Sequence, residues 1–158
     1  MTTAVTTALI LAVLIGAVSG SRTLLAPAAV SWAAYGGWLD LSGSWLFFLG
    51  HPVSPWVFTA MAVGELVTDK LPGTPSRKRP FPFASRIVGG AVAGAAIGAN
   101  AGAWVPGLFV GGLGAVAGTL LFYEARRRMA AAFGRDRPAA LIEDAVALTV
   151  ALLVVAAA

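Results

Sequence analysis

The chain has 158 residues, of which 58% are hydrophobic and only 11% charged, where a soluble domain carries about 25% charged residues. With a mean hydropathy of +0.83, that balance excludes an ordinary soluble domain and points to one polytopic α-helical membrane domain over residues 1–158. The net charge of +4 is no nucleic-acid signal, because the basic residues sit in two short clusters between apolar segments, the pattern of cytoplasmic loops.

The apolar blocks are 17–20 residues long, rich in Ala and Gly, and do not alternate, which argues against a β-barrel. There is no cysteine, hence no disulfide, thiolate metal site or cysteine nucleophile. No cofactor and no metal site are expected.

The first span is expected over Ala4–Gly20. No Lys or Arg precedes it, which argues against a cleaved leader. Ala12, Gly16 and Gly20 share one face, where small residues admit a neighbouring backbone. Arg22 follows as the first charge. The second span is expected over Thr23–Leu39, with Pro27 tolerated in its first turn. Its aromatic stripe of Trp32, Tyr35 and Trp38 reads as packing or lipid-facing surface, with a ligand-stacking platform as the alternative.

Residues 40–55 are irregular and read as an interfacial or re-entrant segment. Its His51 is the single histidine of the chain and has no acid or second histidine nearby in sequence to make a metal site. The third span, Trp56–Thr68, delivers Glu65 and Asp69 into a loop where Pro72, Pro75, Pro80 and Pro82 favour an extended path.

The fourth span, Arg86–Ala103, carries Gly90, Gly94, Gly98 and Gly102 at four-residue spacing, the strongest packing signal in the chain. The fifth, Pro106–Tyr123, repeats the device with Gly107 and Gly111, then Gly114 and Gly118, and forms a tight hairpin with the fourth. Glu124–Arg137 is expected as a second basic loop. The sixth span runs from Pro138 to the end, with Glu143 and Asp144 at the favourable end of its dipole.

Placing both basic clusters inside puts both termini outside, and Trp38, Trp45, Trp56 and Trp104 then fall at the outer interface. Three spans per half imply inverted halves, 1–78 and 79–158, a transporter-like arrangement. Sliding one half on the other aligns Gly16 with Gly94, Gly20 with Gly98 and Glu65 with Glu143. Against the symmetry, both glutamates map to the inner side.

Arg22, Glu65, Asp69, Lys70, Arg86, Glu143 and Asp144 map to the inner half of the membrane. Acids in a span normally face the bundle interior or water. Arg22, Glu65, Asp69 and Glu143 are therefore the candidate substrate- or ion-binding residues of a small transporter or channel, with Arg22 as the partner of Glu65 and Asp69. Asp144 and Lys70 read as interfacial charges only. The competing reading is a structural latch of ion pairs, in a non-transporting assembly or lipid-interacting protein.

A lipid-headgroup enzyme using Glu65 or Asp69 as base is a further class; no acid motif of lipid transferases supports it, and no catalytic residue is assigned. Arg77, Lys78, Arg79, Arg126, Arg127 and Arg128 are expected on anionic lipid headgroups. The expected partners are the bilayer and further copies of the chain, as a homo-oligomer.

Gly20-Ser21-Arg22, Leu25-Ala26-Pro27-Ala28-Ala29-Val30-Ser31-Trp32, Gly64-Glu65-Leu66-Val67-Thr68-Asp69-Lys70-Leu71-Pro72, Thr74-Pro75-Ser76-Arg77 and Glu143-Asp144-Ala145 resemble the motifs of a family of small bacterial integral membrane proteins with a domain of unknown function. The resemblance implies a multi-span inner-membrane protein. It implies no activity, substrate or catalytic residue.

Overall fold

Six α-helices and one 3-10 turn make up the regular structure of the described residues, 3–68 and 80–158, in this computed structural model. The helices are α1 (Thr3–Ser21), α2 (Leu25–Tyr35), α3 (Ser54–Thr68), α4 (Pro80–Asn100), α5 (Trp104–Phe133) and α6 (Asp136–Ala157); the 3-10 turn is Phe47–Gly50. Asp69, Lys70, Pro72, Pro75, Arg77, Lys78 and Arg79 lie outside the described residues.

α1, α4, α5 and α6 are each long and apolar enough to cross a membrane. α2 has 11 residues and α3 has 15. At 1.5 Å per residue these reach about 16 and 22 Å, short of the roughly 30 Å of a hydrocarbon core.

α1, α4 and α5 pack backbone to backbone. A Cβ on Gly94 would stand 2.5 Å from the Gly107 carbonyl oxygen and 2.7 Å from the Gly111 Cα. A Cβ on Gly20 would meet the Ala115 carbonyl and the Thr119 amide at 2.5 Å. α5 is the hinge of the arrangement: Gly107 and Gly111 meet α4, while Gly114 and Gly118 meet Val13 and Ala17 of α1. Gly90 and Gly98 complete the α4 face, and Gly16 lies against Gly111. Close van der Waals contact is what holds apolar helices together in lipid, where no hydrophobic force separates them from acyl chains.

Gly102 departs from the expected stripe. It lies beyond α4 at φ +68° with no atom within 4 Å of a Cβ, so it serves the α4–α5 turn, which needs a left-handed residue.

Other boundaries also shift. α2 stops at Tyr35 rather than Leu39, because Gly37 turns the chain at φ +78°. Pro80 and Pro82 open α4 instead of extending a loop; a first-turn proline gives up only an amide that has no helical partner. α5 continues through the expected basic loop to Phe133 and ends at Gly134, φ +65°, a left-handed glycine terminus. Arg126, Arg127 and Arg128 are therefore helical.

α3 is peripheral. It lies on α2 and the 3-10 turn and buries only Pro55 and Ala62. Trp32 holds it, edge-on to Trp56 with ring centroids 5.0 Å apart and donating its indole N–H to Thr59 Oγ1 at 2.9 Å. The segment between α2 and α3 is anchored by buried Leu39, Leu41, Leu46 and Leu49 and by the Ser31 hydroxyl, which donates to the Leu49 carbonyl at 2.5 Å.

The helices run alternately. Arg22, Glu65, Arg86, Thr119 and Glu143 gather at one end. The other end gathers Asp40, Asn100 and Ala158: Asn100 Oδ1 accepts from the Asp40 amide at 3.4 Å and its Nδ2 donates to the Ala158 carbonyl at 3.0 Å. Thr3 lines a cavity with Asn100 and Ala158, so both ends of the described chain meet there.

Candidate functional site, a charged helix break

Arg22, Thr23 and Leu24 separate α1 from α2. Helix ends leave amides and carbonyls without helical partners, and such groups are costly away from water. Two side chains from distant elements meet this demand.

Arg86 of α4 donates from Nη1 to the carbonyls of Gly20 at 2.9 Å and Ser21 at 2.5 Å. Glu65 of α3 accepts from the amides of Thr23 at 2.8 Å and Leu24 at 3.0 Å. A cation thus closes the negative end of α1, and an anion closes the positive end of α2, each on the side its dipole favours. Arg86 Nη2 stands 3.8 Å from Glu65 Oε1, with the two side chains only 4% and 13% exposed.

Hydroxyls finish the seam. Ser19 Oγ donates to the carbonyls of Arg86 at 2.9 Å and Thr23 at 3.2 Å. Thr119 Oγ1 reaches the Gly20 carbonyl at 3.2 Å and the Ala115 carbonyl at 2.8 Å.

α6 closes the cluster from a further side. Ser21 Oγ donates to Glu143 Oε1 at 2.8 Å, and Arg126 Nη1 lies 3.5 Å from Glu143 Oε2, whose side chain is 0% exposed. Arg22 donates from Nε and Nη2 to Asp144 Oδ1 at 2.8 and 2.5 Å. Arg126 also grips Asp136 through two contacts of 2.9 and 2.6 Å, tying the end of α5 to the start of α6.

Of the four candidate ion-binding residues, Arg22, Glu65 and Glu143 come together at this break, while Asp69 lies outside the described residues. The expected pairing of Arg22 with Glu65 and Asp69 is tested only for Glu65, since Asp69 lies outside the described residues, and for Glu65 it differs. Arg22 meets Asp144 rather than Glu65, because Asp144 follows Glu143 on α6 and reaches the residue after Ser21. Asp144 is thus an ion-pair partner, not a solvated edge charge. Arg126 turns into the cluster, whereas Arg127 and Arg128 are exposed and pair with Glu124 at 2.8 and 2.7 Å.

Both glutamates sit at the same end of the bundle. An in-plane inverted repeat would place them at opposite ends, so their alignment gives the repeat no support. Sequence reading placed Arg86 at the inner side but gave it no partner in the site, and it assigned no role there to Ser19, Ser21 or Thr119. One signal was present: Arg86 is a single cation heading a long apolar run, where a charge needs a buried acceptor.

Two apolar grooves flank α3. The first, about 550 Å3, lies between α2, α3 and α6 and includes Ala29, Trp32, Val63, Leu66, Leu148 and Leu152. The second, about 490 Å3, lies between α2, α3 and α4 and includes Pro27, Phe58, Phe81, Ser85 and Val88.

No family model matches the chain, and neither the curated proteins nor the solved structures give a match.

Proposed function

We propose that this is a lipid-interacting protein of the bacterial inner membrane. In this reading α1, α4 and α5 form a rigid core, the charged break is a structural latch, and a hydrocarbon chain occupies the groove between α2, α3 and α6. The observation that carries it is that groove. Its lining is apolar apart from Thr59, its volume of about 550 Å3 falls within the roughly 300–1,000 Å3 of small-ligand sites, and Val63, Leu148 and Leu152 are about half exposed along it.

Charge complementarity favours a lipid chain over a partner helix. At the groove's charged end the α5–α6 hairpin carries Arg126, Arg127, Arg128, Arg135 and Arg137 against Glu124 and Asp136, a surface for anionic headgroups. On the positive-inside rule that end is cytoplasmic, both termini lie outside, and α2 and α3 complete a six-helix crossing with local thinning around them.

The test is photo-crosslinking in native membranes with a phospholipid bearing a diazirine near the end of its acyl chain. Adducts should concentrate on Ala29, Val63 and Leu152. Labelling no denser there than on the outward α5 residues Phe109 and Leu113 would overturn the reading.

A transporter or channel for an ion or small solute is the second reading, with Arg22, Glu65 and Glu143 as its polar site. One observation favours it: Glu65 rides on the peripheral α3, so an outward swing of α3 would bare both the carboxylate and the α2 amides. Water access to the interior tests it and is taken up in the Discussion.

A further inference from the structure

At the end of the bundle opposite the charged break, a cup of about 700 Å3 is lined by Asp40, Ser42, Phe47 and His51, with Gly37 and Gly50 among the rest. It belongs to neither groove and to none of the ion pairs. Its walls are built rather than loose. Leu39 and Leu41 are buried while Asp40 and Ser42 between and beside them are exposed, so the two polar residues are turned outward together. The neighbouring rim is pinned by the Ser54 hydroxyl, which donates to the Phe48 carbonyl at 2.5 Å.

The chemistry of the cup is two-signed. Asp40 Oδ1 accepts from the Ser42 amide at 3.0 Å and the Ser42 hydroxyl at 2.6 Å. Those two bonds, the hydroxyl first, hold the carboxyl below its usual range, so it stays ionised. Among the described residues Asp40 is the only charged side chain at this end; the others lie at the break or on the hairpin beyond it. Asp40 lines the cup, whose lining residues include no Lys or Arg. His51 Nδ1 accepts the Val53 amide at 3.3 Å, which places the proton of the neutral ring on Nε2 as a donor. Phe47, 65% exposed, adds an aromatic face that favours an organic cation.

A metal ion fits this set poorly. Among the described residues no three His, Cys, Asp or Glu side chains come together, and hard cations take six or more oxygens. A primary ammonium asks only for a carboxylate and an aromatic face, and a phosphate beside it would take the His51 Nε2–H.

We infer that this cup binds a zwitterion in which a primary ammonium lies close to a phosphate, the ammonium on Asp40 and Phe47 and the phosphate on His51. Two sources share that chemistry: the headgroup of phosphatidylethanolamine and soluble phosphoethanolamine. Trp38, Trp45 and Trp104 stand at the same end and are 62%, 47% and 41% exposed, as side chains at a bilayer interface are. The inference is independent of the acyl-chain groove.

The experiment is native mass spectrometry of the full chain with equal amounts of phosphatidylethanolamine, phosphatidylcholine and phosphatidylglycerol of identical acyl chains. The wild type should retain phosphatidylethanolamine over each of the others by about fivefold, the scale of a part-exposed charge pair with an aromatic neighbour. D40N, with unchanged helicity and melting, should lose the preference, and H51A should reduce it.

Added phosphoethanolamine that displaces the lipid would show that the headgroup alone is recognised and that a soluble ligand can fill the cup. A preference that survives the competitor would assign the cup to the membrane lipid. Equal retention of the three lipids by the wild type, with no effect of phosphoethanolamine, would overturn the inference. So would a preference that persists in folded D40N. Should D40N fail to fold, discrimination against phosphatidylcholine, which has no ammonium N–H, decides the matter in the wild type alone.

Discussion

Glu65 and Arg86 stand 3.8 Å apart, and each closes the helix end whose dipole it opposes: Arg86 holds the last carbonyls of α1 and Glu65 the first amides of α2. One ion pair, drawn from two further helices, thereby satisfies two carbonyls and two amides where the chain reverses through three residues.

Removing both halves of this pair should cost less than the two single losses added together. Arg86→Ala leaves Glu65 without its cation and two carbonyls without a donor, and should destabilise the fold by about 3–5 kcal/mol, the cost of breaking a buried pair. Glu65→Gln keeps an acceptor for one α2 amide and should cost about 1–3 kcal/mol. Unfolding titrations in mixed micelles measure both, and the double variant should be less unstable than the sum of the singles.

Glu143 and Arg126 should behave as a coupled pair. Glu143→Ala buries the loss of a hydrogen-bond acceptor for Ser21 as well as a charge partner. It should therefore destabilise more than Glu143→Gln, by about 1–2 kcal/mol. A double-mutant cycle with Arg126→Gln in the same titration should return a non-zero coupling, and strict additivity would mean the 3.5 Å contact carries nothing.

Neighbouring glycines on α5 should separate cleanly. A Cβ on Gly111 would meet the Gly94 Cα at 2.9 Å, where backbone cannot yield, whereas one on Gly112 finds Ile87 Cγ2 at 3.7 Å and Ala91 Cβ at 3.8 Å. Gly111→Ala should therefore cost about 1–3 kcal/mol by overpacking, while Gly112→Ala should be neutral or gain up to about 1 kcal/mol of helix propensity. Thermal melts followed by circular dichroism distinguish the two.

Water access separates the two functional readings. Ala147 is 0% exposed inside the bundle, one turn beyond Glu143. In the chain's cysteine-free background, Ala147→Cys should resist a membrane-impermeant maleimide applied from either side if the break is a dry latch. Rapid labelling of folded protein would instead favour the transporter or channel.

Much of the local architecture was legible in the chain. Length and hydropathy mark α1, α4, α5 and α6 as crossing helices, and four-residue spacing marks Gly90, Gly94 and Gly98 as a packing face. The places where reading failed share a cause. Pro80, Pro82 and the arginines after Tyr123 look like loop residues by composition, yet a first-turn proline costs a helix little, and the basic run sits in a helix end that packs against α6. Gly102 matches the stripe by number alone, because the helix ends before it.

The charged site divides the same way. That Glu65, Glu143 and Arg22 lie near one end follows from where they fall in their apolar segments, since an ionised group in a span must face protein or water. Which cation meets which anion does not follow. Arg22, Arg86 and Arg126 are alike in type, and their partners depend on how α3, α4 and α6 are rotated and stacked against the α1–α2 break.

The sequence alone determined that this chain enters a membrane as apolar helices and which helix faces are small enough to touch, because both depend on composition and on a fixed 3.6-residue period. Only the tertiary structure decided that Arg86 and Glu65 close one break, that Asp144 takes Arg22, and that, among the described residues, Asp40 is the one charged side chain at the far end. Those outcomes rest on helix rotation and on distances between segments remote in the chain, and no local periodicity encodes them.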